Sequence, residues 1–243
     1  MIKDGFIPFG PYRTYYRIVG KPSDKAPLLL LHGGPGSTHN YFEALDELAE
    51  RDQRQLIMYD QIGCGLSSMP DHPRVYQAAT WLRELKNLRE RLHLDQIHLL
   101  GQSWGGMLAI MYLCDEIPAG IKSLILSSTL SDAQLWGQEQ HRLISFMSNV
   151  GELAYQTAWG PNEFTPTGNL KDYDYTNKLR NLYVPTLITS GTNDLCTPLV
   201  AKTMADALPN SQWHLFNGTR HMSFVEKPLE YQAVLQDWLD QHD

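Results

Sequence analysis

Short apolar runs alternate with amphipathic stretches along most of the chain. Continuous apolar runs at 27–31, 56–59, 97–100, 124–126 and 186–189 predict strands, because a strand that is buried on both faces shows no polar alternation. Such strands are typical of a parallel sheet that is covered by helices.

Apolar residues recur at helical spacing between these runs. Two stripes, at 81–92 and 200–208, predict helices with one buried face. An alternating, aromatic-rich segment at 12–19 predicts an antiparallel strand near the N-terminus. This order of elements predicts an α/β protein, with a mostly parallel sheet and helices on both faces.

One interval departs from this rhythm. Between 131 and 168, an apolar stripe through Leu135, Leu143 and Phe146 is followed by an aromatic, proline-containing stretch, and no run there predicts a buried strand. We therefore expect a core formed by residues 1–130 and 169–243, with residues 131–168 as an insertion over the sheet.

Composition narrows the class of protein. With 243 residues, 42% hydrophobic and 19% charged, the chain is typical of a globular protein. A net charge of −7 argues against a nucleic-acid partner. No apolar run is long enough to cross a membrane, and the first ten residues do not resemble a secretory signal. Three widely spaced cysteines indicate reduced thiols, so we expect a cytoplasmic protein, with association with the cell envelope as the alternative.

The strongest local signal is the G-x-S-x-G motif at 101–105. It follows an apolar run and precedes a helix-compatible one, which is the setting of a strained strand-to-helix turn that exposes a nucleophilic serine. Ser103 is the candidate nucleophile, and the Trp104 amide is a candidate donor to an oxyanion. The alternative is a turn of small residues that only packs a helix on a strand.

The partners of such a serine follow later strands in the order acid, then histidine. Asp194 follows the run at 186–189, and His221 follows a further predicted strand at 212–216. These two residues are the candidate acid and base. Taken alone, Asp194 could be a turn or helix-cap residue and His221 a surface residue.

A glycine-rich loop, HGGPG at 32–36, follows the first buried run. Its glycines allow backbone amides to approach a ligand, and we predict that the Gly34 amide is the second oxyanion donor. No phosphate-binding glycine motif is present, so no nucleotide cofactor is expected. No H-E-x-x-H motif or paired Cys/His spacing is present, so no metal is expected either.

Several motifs together resemble those of proline iminopeptidases, α/β-hydrolases that remove an N-terminal proline from peptides. They are HGGPG (32–36), YDQIGCGLS (59–67), GQSWGG (101–106), GPNEF (160–164), GTNDLCTP (191–198) and GTRHMSFVEKP (218–228). The resemblance implies an α/β-hydrolase fold, a small peptide with a free N-terminal proline as the substrate, and no cofactor.

The resemblance implies the same triad and the same oxyanion donors as the spacing does, and it adds one residue. Glu163 matches the glutamate with which the family binds the substrate's amino group. A protonated amine needs a carboxylate partner when it is partly desolvated. The chain departs from the family pattern at two places. Leu195 occupies the position at which some members have a second amine-binding glutamate, and the cap before GPNEF is much shorter than in the family.

Three functions follow, of which a prolyl aminopeptidase is the main prediction. A shortened cap exposes the site, so a broad esterase or arylamidase using the same triad is the first alternative. A non-catalytic ligand binder on a hydrolase scaffold is the second. Trp136, Phe146 and Trp159 are candidates for packing against a proline ring, although aromatic residues at such spacing are more often part of a core.

Overall fold

The computed structural model describes residues 1–143, 157–161 and 166–243, with only the backbone described at 140–143. Within these ranges the strands are β1 (Ile2–Phe9), β2 (Tyr12–Val19), β3 (Leu28–Leu31), β4 (Leu56–Tyr59), β5 (Ile97–Gln102), β6 (Ile121–Ser127), β7 (Thr186–Gly191) and β8 (Ser211–Phe216). They form one sheet in the order β1-β2-β4-β3-β5-β6-β7-β8.

The sheet is parallel from β4 to β8, while β1 pairs with β2, and β2 with β4, in antiparallel fashion. Every strand that the apolar runs predict is present, and the antiparallel strand predicted at 12–19 is β2. The pattern did not predict β1. This strand lies at the sheet edge and has mostly exposed side chains, so burial imposes little pattern on its sequence.

The helices are α1 (Asp46–Arg51), α2 (Ala78–Arg91), α3 (Trp104–Met111), α4 (Ala133–Leu143), α5 (Thr176–Leu179), α6 (Pro198–Ala207), α7 (Ser223–Glu226) and α8 (Pro228–Asp240). The two predicted apolar stripes correspond to α2 and α6. A 3₁₀ segment over His39–Leu45 connects β3 to α1. No helix in the described ranges has the length and apolar character that crossing a bilayer requires.

The core has two layers because successive side chains of a strand point to opposite faces of the sheet. In β3, Leu29 and Leu31 join one apolar cluster with residues of α2 and α3. Leu28 and Leu30 join a second cluster with Phe42 and the buried face of α8. All four leucines are fully buried, which confirms the predicted sheet with helices on both faces.

The interval that we predicted to be an insertion is described in part. It contains α4 and a helical turn at 157–159, and Asp132 forms an isolated bridge with Asp174 beyond it. Trp136 and Trp159 are buried, with ring centroids 5.6 Å apart. Phe146 and Glu163 lie outside the described residues. The division into a core and an insertion therefore stays a prediction.

Candidate active site

Ser103 occupies a sharp turn between β5 and α3. Its backbone has φ 53° and ψ −122°, a left-handed conformation that a non-glycine residue adopts only at a cost of about 1–3 kcal/mol. A Cβ atom at Gly105 would lie 2.0 Å from the Leu31 carbonyl oxygen, and one at Gly101 would lie 2.3 Å from the Gly105 oxygen. The steric reason for the G-x-S-x-G spacing is therefore present in the structure.

Backbone contacts hold this turn against the neighbouring strand. The Ser103 amide donates to the Ser127 carbonyl at the end of β6 at 3.0 Å. The Thr129 hydroxyl donates to the Ser103 carbonyl at 2.6 Å. The amide and the carbonyl of Ser103 are thus both bonded to the end of β6 and to the residues directly after it.

Asp194 and His221 meet at the carboxyl edge of the sheet, after β7 and β8. His221 Nδ1 lies 2.8 Å from Asp194 Oδ1, and the carboxylate is completely buried. A carboxylate oxygen accepts hydrogen bonds, so Nδ1 donates a proton to Asp194, and Nε2 is the ring nitrogen that can act as a base. The Cys196 amide also donates to Asp194 Oδ1, at 2.9 Å, which holds the carboxylate in place.

The segment that carries Ser103 also contacts the histidine loop. Gln102, the residue before Ser103, donates from Nε2 to the backbone carbonyl of His221 at 3.4 Å. The structure therefore brings Ser103, Asp194 and His221 to one edge of the sheet, although 118 residues separate the serine and the histidine along the chain.

The HGGPG loop lies next to this turn. Gly34 has φ +110°, and a Cβ atom there would lie 2.5 Å from the Gly36 amide nitrogen. The Trp159 indole donates to the Gly34 carbonyl at 3.4 Å, so one of the candidate aromatic residues reaches the loop. Within the described residues, neither the Gly34 amide nor the Trp104 amide donates a hydrogen bond to the protein. Both amides can therefore serve a developing negative charge.

Sequence reasoning missed a buried connection that supports this loop. The Gln61 side chain donates from Nε2 to the His32 carbonyl at 2.9 Å and accepts from the Trp104 indole at 2.8 Å. The Gln61 amide also donates to His32 Nε2 at 2.9 Å. Burial lowers the pKa of His32 to about 4, so its ring is neutral near pH 7. The only signal in the sequence was the position of Gln61 within YDQIGCGLS.

The described residues contain one group of side chains that could ligate a cation. Ligand atoms of Asp194, Cys196 and His221 lie within 4.8 Å of one another. Asp194 accepts hydrogen bonds from His221 and from the Cys196 amide, which brings these three residues together.

The chain matches a family model described as the alpha/beta hydrolase fold over residues 26–158. It is similar to the proline iminopeptidase of Lactobacillus helveticus, with 55% identity over 291 residues that cover 100% of this chain and 99% of that protein. The proline iminopeptidase of Lactobacillus delbrueckii subsp. bulgaricus is 52% identical over 292 residues, with 100% and 99% covered.

Two solved structures are similar over nearly their whole length. VinJ superposes with a TM-score of 0.91 at 28% identity, covering 99% of each chain. A proline iminopeptidase from Mycobacterium smegmatis superposes with a TM-score of 0.89 at 27% identity, covering 99% of this chain and 98% of that one. The alignment with the L. helveticus protein has 291 positions against 243 residues here, so about 48 of its positions have no counterpart in this chain.

Proposed function

Because the chain belongs to the proline iminopeptidase family of α/β-hydrolases, we propose that it is a serine aminopeptidase that releases an N-terminal proline from small peptides. The observation that carries the proposal is the 2.8 Å hydrogen bond between His221 Nδ1 and a buried Asp194, at the edge of the sheet where Ser103 follows β5. This is the arrangement that an activated serine requires.

Acylation begins when His221 Nε2 takes the proton of the Ser103 hydroxyl. The serine oxygen attacks the carbonyl carbon of the first peptide bond, and the amides of Gly34 and Trp104 stabilise the oxyanion. His221 then gives its proton to the leaving amine, the C–N bond breaks, and the shortened peptide departs. Asp194 stabilises the imidazolium and keeps Nε2 directed at the serine.

Deacylation repeats these steps with water. His221 removes a proton from the water molecule, the hydroxide oxygen attacks the prolyl ester, and the same two amides hold the second oxyanion. The ester bond to Ser103 breaks, the serine oxygen regains its proton from His221, and free proline leaves.

Substrate selection rests on the amine and on the ring. We assign the protonated imino group of the substrate to Glu163, since a carboxylate offsets the cost of desolvating that charge. Leu195 offers no second carboxylate next to Asp194. The indoles of Trp136 and Trp159 lie against each other at a tilt of 38°. The Trp159 indole contacts the Gly34 carbonyl, and we propose that this pair packs against the pyrrolidine ring.

The proposal is tested by kinetics on three arylamides, prolyl, alanyl and N-blocked prolyl. We expect the free prolyl compound to be turned over fastest and Ser103→Ala to reduce its turnover by about 10⁵-fold or more. Near-normal turnover by Ser103→Ala would overturn the serine mechanism. Labelling by a serine-directed phosphonate checks the same residue, and a wild-type protein that resists labelling would instead be a non-catalytic binder.

Glu163 is tested with Glu163→Gln and a matched control, Glu90→Gln, on the exposed C-terminal turn of α2. We expect Glu163→Gln to weaken free prolyl substrates about 10- to 100-fold more than N-blocked ones, because only the former carry the charge. The control should change neither. Equal losses on both substrates would remove the assigned role.

The alternative function, a broad esterase or arylamidase, is favoured by the length difference. About 48 positions of the L. helveticus relative have no counterpart here, and we propose that they belong to a cap that residues 131–168 replace in shortened form over a core of residues 1–130 and 169–243. A smaller cap positions substrate less well and admits water. A short acyl ester turned over far better than every arylamide would support this alternative.

A further inference from the structure

The amide of Gly33 is already occupied by a side chain. It donates to the hydroxyl oxygen of Tyr41 at 2.5 Å, whereas the neighbouring Gly34 amide donates to no described group. Tyr41 therefore determines which of these two adjacent amides is left to face an oxyanion.

Tyr41 passes the hydrogen bond on to the serine's neighbour. Its hydroxyl donates to Gln102 Oε1 at 2.9 Å, since a side-chain carbonyl oxygen only accepts. Burial raises the pKa of Tyr41 above its ordinary value, so the hydroxyl keeps its proton near pH 7. The Tyr41 ring also packs against Phe224, three residues beyond His221, with centroids 5.7 Å apart.

Gln102 completes a chain of hydrogen bonds to the histidine loop. It is 1% exposed. With Oε1 bound to Tyr41, its Nε2 faces the His221 carbonyl at 3.4 Å. If the Gln102 amide were rotated by 180°, its oxygen would face the His221 carbonyl oxygen. The hydrogen bonds therefore run in one direction, from Tyr41 through Gln102 to His221. Gln102 can lie this close to the HGGPG loop only because residue 33 is glycine, since a Cβ atom there would lie 2.6 Å from Gln102 Oε1.

We propose that Tyr41 and Gln102 are positioning residues, which hold the oxyanion loop, the serine turn and the histidine loop at one mutual spacing through the bonds Gly33–Tyr41–Gln102–His221. Neither residue is assigned a contact with substrate. They act through the Gly34 amide and through the backbone of His221. The inference rests on the proposed function only in that a tetrahedral oxyanion forms at Ser103.

Removing the Tyr41 hydroxyl should damage the transition state more than substrate binding. Tyr41→Phe leaves the Gly33 amide and Gln102 Oε1 without their partner, so the loop carrying Gly34 can shift. A displacement of about 1 Å can cost about 100-fold in rate. Since the oxyanion exists only during reaction, we expect kcat to fall about 10- to 100-fold with KM changed less than about threefold.

Gln102→Met removes the hydrogen bonds that Gln102 makes with Tyr41 and His221, while it keeps the side-chain volume. We expect a similar loss of kcat. We also expect Tyr41→Phe/Gln102→Met to lose little more than the larger single loss, because the two changes interrupt one connection. The matched control is Tyr112→Phe. Tyr112 is buried, whereas Tyr41 is partly buried, and the Tyr112 hydroxyl likewise accepts a hydrogen bond, from Arg89 at 2.9 Å. Tyr112 follows the end of α3 opposite Ser103, so the kcat of Tyr112→Phe should stay within about twofold of wild type.

The experiment measures kcat and KM on a prolyl arylamide, acylation by p-nitrophenyl acetate, and inhibition by prolyl boronic acid, which forms a tetrahedral adduct. Support requires that boronate affinity and ester acylation fall in step with kcat in both single variants. The proposal is overturned if Tyr41→Phe retains wild-type kcat, if the two losses multiply in the double variant, or if boronate affinity is unchanged.

The measurement with p-nitrophenyl acetate distinguishes a failure of this inference from a failure of the proposed function. If the wild-type protein is acylated by the ester but cleaves no prolyl arylamide, the aminopeptidase assignment fails. The comparison of the variants on ester and boronate then still decides whether the chain of hydrogen bonds positions the oxyanion donors.

Discussion

A carboxyl group buried beneath the YDQIGCGLS loop should make folding stability depend on pH. Glu84 lies on α2 with no exposed surface. It accepts hydrogen bonds from the Thr14 hydroxyl at 2.6 Å and from the Ile62 amide at 2.9 Å. Burial disfavours the charged form more than these two bonds favour it, and it raises the pKa of Glu84 from 4.5 to about 7.

The direction of the effect follows from proton binding. Between pH 4.5 and about 7, the folded protein holds a proton on Glu84 that the unfolded chain has released. The stabilisation by this proton is complete below pH 4.5 and is lost as the pH rises through about 7. At about 1.4 kcal/mol per pH unit, the loss amounts to roughly 3 kcal/mol of unfolding free energy.

Glu84→Gln should remove this dependence. The glutamine oxygen can accept from the Ile62 amide, and its nitrogen can donate to the Thr14 hydroxyl, so both contacts have replacements. Urea unfolding followed by tryptophan fluorescence gives the free energy of both proteins from about pH 5 to 8. We expect the variant to gain about 2–3 kcal/mol relative to wild type across this range.

The difference between the unfolding free energies of the two proteins removes the contributions of the other titrating groups, because both proteins contain them. Glu90→Gln, at the exposed C-terminal turn of the same helix, is the control and should give a difference that does not change with pH. A constant difference between Glu84→Gln and wild type would refute the argument that burial governs this carboxyl group.

Three further outcomes are expected. Gly105→Ala should lower the thermal midpoint by several degrees and abolish hydrolysis, because its Cβ atom would lie 2.0 Å from the Leu31 oxygen; an active variant of normal stability would contradict this. Asp243→Ala removes the 2.7 Å partner of the fully buried Arg54, and urea titration at pH 7 should show a loss of about 1–2 kcal/mol. Burial raises the pKa of Cys64 well above its ordinary value, so mass spectrometry should find its alkylation by iodoacetamide at pH 8 only after unfolding.

Much of the fold could be predicted from short stretches of sequence. The apolar run at 28–31 and the alternation at 12–19 each reflect burial that acts on neighbouring residues, and both strands form as predicted. Ser103 was identifiable because its turn is sterically possible only with glycine close by. Asp194 and His221 needed one further step, the rule that the carboxyl ends of successive parallel strands meet at one edge, and the structure places them in contact.

The support around the site could not be predicted in this way. The contacts of Tyr41 with Gln102, of Gln102 with His221 and of Gln61 with Trp104 join residues that are 61, 119 and 43 positions apart. A glutamine has the same donors and acceptor wherever it occurs, so its local sequence does not indicate which carbonyl it will face. The hydrogen-bond partners of such a side chain depend on how the helices and loops pack on the sheet, because a hydrogen bond requires two atoms to lie within a few tenths of an ångström of their ideal distance. Local residue patterns specify strands and turns, whereas the spacing between distant loops depends on all the contacts of the folded chain.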